Sequence, residues 1–275
     1  MDEIDPTADL CLTATPPGAP AYGVFDNFLA PESASEIARE MDRAKAQGAK
    51  PDKVAREGAR LNFNRGEQGY DALRSCCPTL DRLMAFLESP VFFERALARN
   101  AAVLAMKGIA RAPEIYDPSL KERGLKTRPG ASGALRMGFA VNVAMSYGGY
   151  EREPHTDNRH KVLVGLLYFD DIPETAGGGT IFWNLKAPKA LDECERFPDV
   201  SEVRQETIVQ PRRGRLALFA NSNDAYHGVA EYKGESPRHF LYFTYFSDSS
   251  HNPVSLRILL FCFDQTTPHF YESIT

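Results

Sequence analysis

A chain of 275 residues with 43% hydrophobic content is long enough to bury the core of one large domain. Its 32 Lys and Arg against 37 Asp and Glu leave a net charge of −5, which argues against a face built for nucleic acid or an anionic membrane. No run approaches the roughly 18 apolar residues of a membrane span, and the acidic, Pro-rich start lacks the basic and apolar regions of a signal peptide.

The five cysteines, Cys11, Cys76, Cys77, Cys194 and Cys262, are odd in number and form no C-x-x-C pair. That pattern reads as reduced thiols in a cytoplasmic protein. Residues 1–20 read as a flexible arm, and 21–275 as a single domain. Tyr22-Gly-Val-Phe25 is a short strand. Ala34, Ile37, Ala38 and Met41 recur at helical spacing, which predicts a helix over about 32–47 with Pro31 at its start. Residues 48–69 are polar and carry no periodic signal. A helical region follows at about 69–99, with Pro78 opening one helix and Pro90 the next. Residues 111–133 are rich in Pro, Gly and basic side chains, including Arg111, Lys121, Arg123, Lys126 and Arg128. They read equally as a loop over a site or as a solvated connector.

After residue 134 short β-rich runs alternate with turns: 139–147, 162–169, 180–183, 207–210, 215–220, 228–231 and 239–246. Regular short strands predict a sandwich or barrel. The expected fold is α+β, a double-stranded β-helix (jelly roll) over about 134–247, with an N-terminal helical layer over about 21–133 and a tail from 248 to 275.

His155-Thr156-Asp157 lies in the same half. A lone His-x-Asp is a weak signal, because a turn histidine beside a capping aspartate gives the same triplet. Here Pro154 and the preceding glycines place it in an extended segment, where positions 155 and 157 share one face. His227 follows 70 residues later, at the start of an apolar strand. Two histidines and a carboxylate make a facial set that suits ferrous iron and leaves positions open for chemistry.

The run SYGGYEREPHTDNRHKVLVGLLYFDD, then GGGTIFW, PRRGRLALFAN and HGVAEYKGESPRHFLYFTYF, resembles the Fe(II)- and 2-oxoglutarate-dependent oxygenases of the prolyl-hydroxylase type. The resemblance covers about 139–247 well and about 20–47 weakly; 48–138 is not covered. It implies that His155, Asp157 and His227 bind Fe(II), and that Arg238 holds the distal carboxylate of 2-oxoglutarate through its planar fork. Tyr168 matches a position whose hydroxyl joins that grip, and Tyr147 one that lines the co-substrate pocket; either is also an ordinary packed strand tyrosine. His160 and His239 read as solvent-facing or core residues rather than ligands. Thr180 and Trp183 fit a substrate pocket or a packed strand equally well.

The implied reaction consumes Fe(II)-bound 2-oxoglutarate and O2, with ascorbate as a candidate reductant, and yields succinate, CO2 and a hydroxylated C–H. Related halogenases carry Gly or Ala where Asp157 stands, so the carboxylate favours hydroxylation or a desaturation variant. A small-molecule substrate, such as an amino acid or natural-product intermediate, fits the composition. A peptide or protein residue is the alternative, and a non-catalytic jelly-roll binding protein the second. A cupin-type metalloenzyme would favour a further histidine and have no need of Arg238.

Overall fold

Among the described residues three helices begin on a proline, whose missing N–H is no loss in a first turn and whose fixed φ already suits the helix. The computed structural model describes residues 4, 9–16, 18–55, 59–109, 115–122 and 136–248. Helix α1 spans Pro31–Ala46, α2 Gln68–Cys76, α3 Pro78–Leu87 and α4 Pro90–Met106. Ala34, Ile37, Ala38, Met41 and Ala44 form the buried stripe of α1. The buried Glu40 reaches from α1 to the start of α3 and accepts hydrogen bonds from Thr79 Oγ1 (2.9 Å) and the backbone N–H of Thr79 and Leu80. A carboxylate is favoured there because the first N–H groups of a helix are unpaired and point outward.

The strands among the described residues form two sheets, antiparallel except for one short pair. The larger has the order β1(Tyr22–Phe25), β10(Leu216–Ala220), β7(Lys161–Tyr168), β12(Arg238–Ser247), β5(Arg136–Ser146), β3(Arg60–Asn64), β2(Lys53–Ala55), with the two-residue β4(Ile115–Tyr116) parallel to β5. The smaller has the order β6(Arg152–His155), β11(His227–Val229), β8(Thr180–Leu185), β9(Val203–Val209). This is the double-stranded β-helix on a helical layer expected from the sequence.

Period-2 alternation sorts the large sheet into two faces. Phe139, Val143, Met145, Leu241, Phe243 and Tyr245 belong to the core shared with the helices. There Phe92 of α4 lies 6.0 Å from the Phe243 ring, edge-on, an arrangement aromatic pairs prefer. Ala144, Val164, Leu166, Tyr168 and Phe240 turn the other way, toward Phe182 and Val209 of the small sheet. Leu61 and Phe63 follow the helical face, so Arg60, Asn62 and Asn64 are left on the face toward the small sheet.

Residues 9–20 correct the arm expected from the sequence. Leu10 and Leu12 are buried. Asn100 of α4 holds this stretch at both ends, donating to Leu10 O and accepting from Leu12 N, each at 2.8 Å. Lys107, itself buried, bonds Asp224 at 2.9 Å and the carbonyls of Pro16 and Ala19. Two leucines and a satisfied backbone dock the segment despite its proline content. Helix α4 also runs further than the expected 99, to Met106. No helix among the described residues is long and apolar enough to cross a membrane. Most of 111–133, with Arg111, Arg123, Lys126 and Arg128, lies outside the described residues, as do Cys262 and the tail beyond 248.

Candidate metal centre and its cavity

His155 ends β6 and His227 begins β11, and the two are Cα partners across the small sheet. Their rings lie 4.4 Å apart, centroid to centroid. Asp157, two residues beyond His155, brings Oδ2 to 3.8 Å from His227 Nε2. One ligand atom from each of the three falls within 4.8 Å of the others, a grouping that could hold a metal ion.

Both imidazoles are oriented by a carbonyl two residues upstream. Nδ1 of His155 lies 2.9 Å from Glu153 O, and Nδ1 of His227 lies 3.0 Å from Ala225 O. A proton on each Nδ1 satisfies these carbonyls and leaves Nε2 with its lone pair toward the centre. Arg152 Nε is 3.3 Å from the same His155 nitrogen, but an Nδ1 that already carries a proton cannot accept from it, and the shorter carbonyl contact decides. Burial, helped by His227 and Arg152, lowers the His155 pKa to about 3. Burial lowers that of His227 as well, although Asp157 opposes it. Neutral imidazole is the form that binds a metal.

Asp157 is held in the opposite state. Burial resists its ionisation, but Lys161, His227 and the Tyr242 hydroxyl outweigh that cost and hold its pKa below the ordinary carboxylate range. Tyr242 donates to Asp157 Oδ2 at 2.6 Å, and Lys161 donates to the Tyr242 oxygen at 2.6 Å. Lys161 lies 3.6 Å from Asp157 Oδ1. Asn221 ties the turn together, accepting from Asp157 N and donating to the carbonyls of Asn158 and Lys161.

Arg238, the first residue of β12, is fully buried. Its Nε donates to Ser146 Oγ at 3.1 Å and its Nη1 to Gly178 O. The glycine is required there: φ is +73°, and a Cβ would stand 2.9 Å from the Tyr232 ring and 3.4 Å from the arginine itself. Nη2 of Arg238 has no partner. A buried cationic donor without an acceptor is costly, so this orphan marks where an anion belongs. Tyr168, its hydroxyl 2.7 Å from Thr180 Oγ1, is buried close enough for Arg238 to oppose the burial that raises its pKa.

A cavity of about 1000 Å³ reaches the three ligands. One wall is the inward face of β3 and β5, with Arg60, Asn62, Asn64 and Asn142; Leu166, Thr180 and Tyr242 also line it, as do Pro118 to Glu122. Asn142 donates to Asn64 Oδ1 across the two strands.

The structure thus brings His155, Asp157 and His227 together, and groups Tyr168 with Arg238. Tyr147 does not join them. It follows Ser146 past the end of β5 and turns to the helical side, where its hydroxyl accepts from Lys45 Nζ of α1 at 2.5 Å and its ring packs against the helical core. Tyr150 takes the inward position instead: it is buried, accepts from Arg60 Nη1 at 2.8 Å, and lies 6.0 Å from the Arg238 guanidinium. The polar strand β3 was invisible as a strand in the sequence; its one signal was the alternation Arg60-Leu-Asn-Phe-Asn64. Thr180 lines the cavity, whereas Trp183 packs beside Tyr226 and Cys194 on the small sheet. His160 pairs with Glu122, and His239 lies buried between Asp170 and Asp42.

Residues 141–246 match the family described as the 2OG-Fe(II) oxygenase superfamily. The matched stretch contains His155, Asp157, His227 and Arg238, and there the chain is similar to oxygenases that work with Fe(II) and 2-oxoglutarate. Among solved structures, the non-heme alpha ketoglutarate dependent epimerase SnoN from nogalamycin biosynthesis superposes with a TM-score of 0.52 at 14% identity, over 94% of this chain and 85% of that one. The alpha ketoglutarate dependent carbocyclase SnoK from the same biosynthesis gives 0.51 at 12% identity, over 94% of this chain and 90% of that one. Both share the fold. Prolyl 4-hydroxylase from Phytophthora capsici gives 0.48 at 16% identity over 82% of this chain, which spans 58% of the length of that protein. No curated protein sequence matches the chain.

Proposed function

We propose that this protein is an Fe(II)- and 2-oxoglutarate-dependent oxygenase that hydroxylates an unactivated C–H bond of a polar small molecule, with His155, Asp157 and His227 as the ligands of Fe(II) and Arg238 as the grip on the distal carboxylate of 2-oxoglutarate. The observation that carries the reading is the cavity of about 1000 Å³ that ends on the triad and is walled by amide, guanidinium and hydroxyl groups. Its volume is that of a small-molecule site, and its polar side chains are of the kind that fix a ligand's orientation.

When bound, Fe(II) and 2-oxoglutarate supply the oxidising chemistry: the oxo acid loses CO2 to become succinate, one atom of O2 enters succinate and the other the substrate C–H. The chain's own residues set the stage. Tyr242 and Lys161 keep Asp157 ionised and oriented. The carbonyls of Glu153 and Ala225 fix the two tautomers. The free Nη2 of Arg238 is a ready partner for a carboxylate. The walls of the cavity hold substrate in reach of the metal.

A screen of amino acids and biosynthetic intermediates, read as succinate release together with a mass gain of one oxygen, tests the substrate class. Coupled turnover of a small molecule is expected. Coupled turnover with proline-containing peptides and with no small molecule would transfer the activity to the peptide alternative.

A further inference from the structure

The large sheet places a second arginine in line with Arg238. Arg60 of β3 and Arg238 of β12 are both Cα partners of Ser146, one on each side of β5, so they share one cross-strand row and one face. They also share neighbours. The Arg238 guanidinium lies 4.5 Å from the centre of the Phe240 ring and that of Arg60 5.0 Å; their distances to the Tyr150 ring are 6.0 and 5.6 Å. Arg60 donates to Asn62 Oδ1, the Tyr150 hydroxyl and Asn142 Oδ1, and Arg238 to Ser146 Oγ and Gly178 O. Among the described residues neither guanidinium meets a carboxylate.

The Arg238 guanidinium is fully buried and Arg60 half-buried, so their like charges repel, and neutral acceptors do not cancel that repulsion. Two other arginines of the cavity wall show the contrast: Arg65 and Arg74 both reach Glu88, and Arg74 also reaches Asp81. Arg60 lines the cavity, and Arg238 lies fully buried in the same cross-strand row. The missing counter-charge therefore belongs in the space between them.

Resting on the cofactor reading above, we propose that Arg60 is a second binding residue for 2-oxoglutarate, so that the distal carboxylate is held between Arg60 and Arg238. Phe240 and Tyr150 wall that space and keep both guanidinium planes in place. This makes the pocket selective for a 2-oxo acid with a terminal carboxylate by two forks rather than one. It also gives β3, from the part of the chain the family resemblance does not cover, a direct part in co-substrate choice.

The test is anaerobic calorimetry of the Fe(II)-loaded protein with 2-oxoglutarate and with 2-oxobutyrate, which has the same oxo-acid head but a methyl in place of the distal carboxylate. In Arg60→Gln, affinity for 2-oxoglutarate should fall about tenfold or more, the loss expected for a charge-assisted hydrogen bond, while that for 2-oxobutyrate stays within about twofold of the parent protein. Retained 2-oxobutyrate binding shows that the variant is folded and the metal in place. Unchanged 2-oxoglutarate affinity in Arg60→Gln, or equal loss of both acids, overturns the assignment. Absence of 2-oxoglutarate binding in the parent protein overturns the cofactor reading itself, and the assignment of Arg60 with it.

Discussion

Tyr242 donates a 2.6 Å hydrogen bond to Asp157 and accepts one from Lys161, so a strand of the large sheet directly steers the carboxylate of the triad. Partners of metal ligands at this distance set ligand orientation and basicity. In Tyr242→Phe the carboxylate loses that bond while the ring still fills its place. Iron affinity, measured by competition with a chelator, should fall about 10- to 100-fold, with the thermal midpoint of the metal-free protein little changed.

Asp157 is the one acidic member of the triad, and Asp157→Ala removes a ligand and a charge together. Succinate formation should be lost in this variant. Full turnover would show that the iron lies elsewhere.

Arg238→Ala removes the buried fork. The KM for 2-oxoglutarate should rise by about 100-fold, the order expected when a paired, charge-assisted contact is deleted from a dry site. A KM equal to that of the parent protein would take Arg238 out of its assigned place.

The pH dependence of stability has a separate source in His239. Burial lowers its pKa, but Asp170 and Asp42, at 2.9 and 3.1 Å, outweigh burial and raise it above the ordinary 6.5. The contribution of this charged imidazole is complete below 6.5 and is lost as pH rises through the higher folded-state value. The stability gap between the parent protein and His239→Gln, from urea unfolding, should therefore be widest near pH 6 and narrow through the alkaline side. A gap that widens with pH would contradict the ion-pair assignment.

Lys107 bonds the buried Asp224 and two carbonyls of the N-terminal segment. In Lys107→Met the aspartate loses its counter-charge, at a cost of roughly 3–5 kcal/mol. The segment around Leu12 should then become a site of limited proteolysis, which the parent protein resists.

How much of this was legible in the sequence depends on which face a residue serves. Apolar strands such as Val162 to Phe169 announced themselves because both of their faces are buried. The triad was legible in the His-x-Asp spacing and the later His227, although β6 ends at His155 and Asp157 lies two residues past it. Strand β3 was not, because Arg60, Asn62 and Asn64 face a cavity, so polarity at buried positions imitated a loop. The direction of Tyr147 was hidden for a related reason: Ser146 faces inward, so its neighbour faces the helices, while Tyr150 beyond the glycine turn meets Arg60 on the inward side. The N-terminal segment hid its docking in two leucines spaced among prolines and threonines, whose partner Asn100 lies far away in sequence.

The account rests most directly on iron and 2-oxoglutarate meeting at His155, Asp157 and His227. Anaerobic addition of Fe(II) and 2-oxoglutarate to the protein, followed by visible absorption, measures that meeting. A weak metal-to-ligand charge-transfer band should appear only when both are present, and should vanish in Asp157→Ala. Iron bound without any such band would contradict the account.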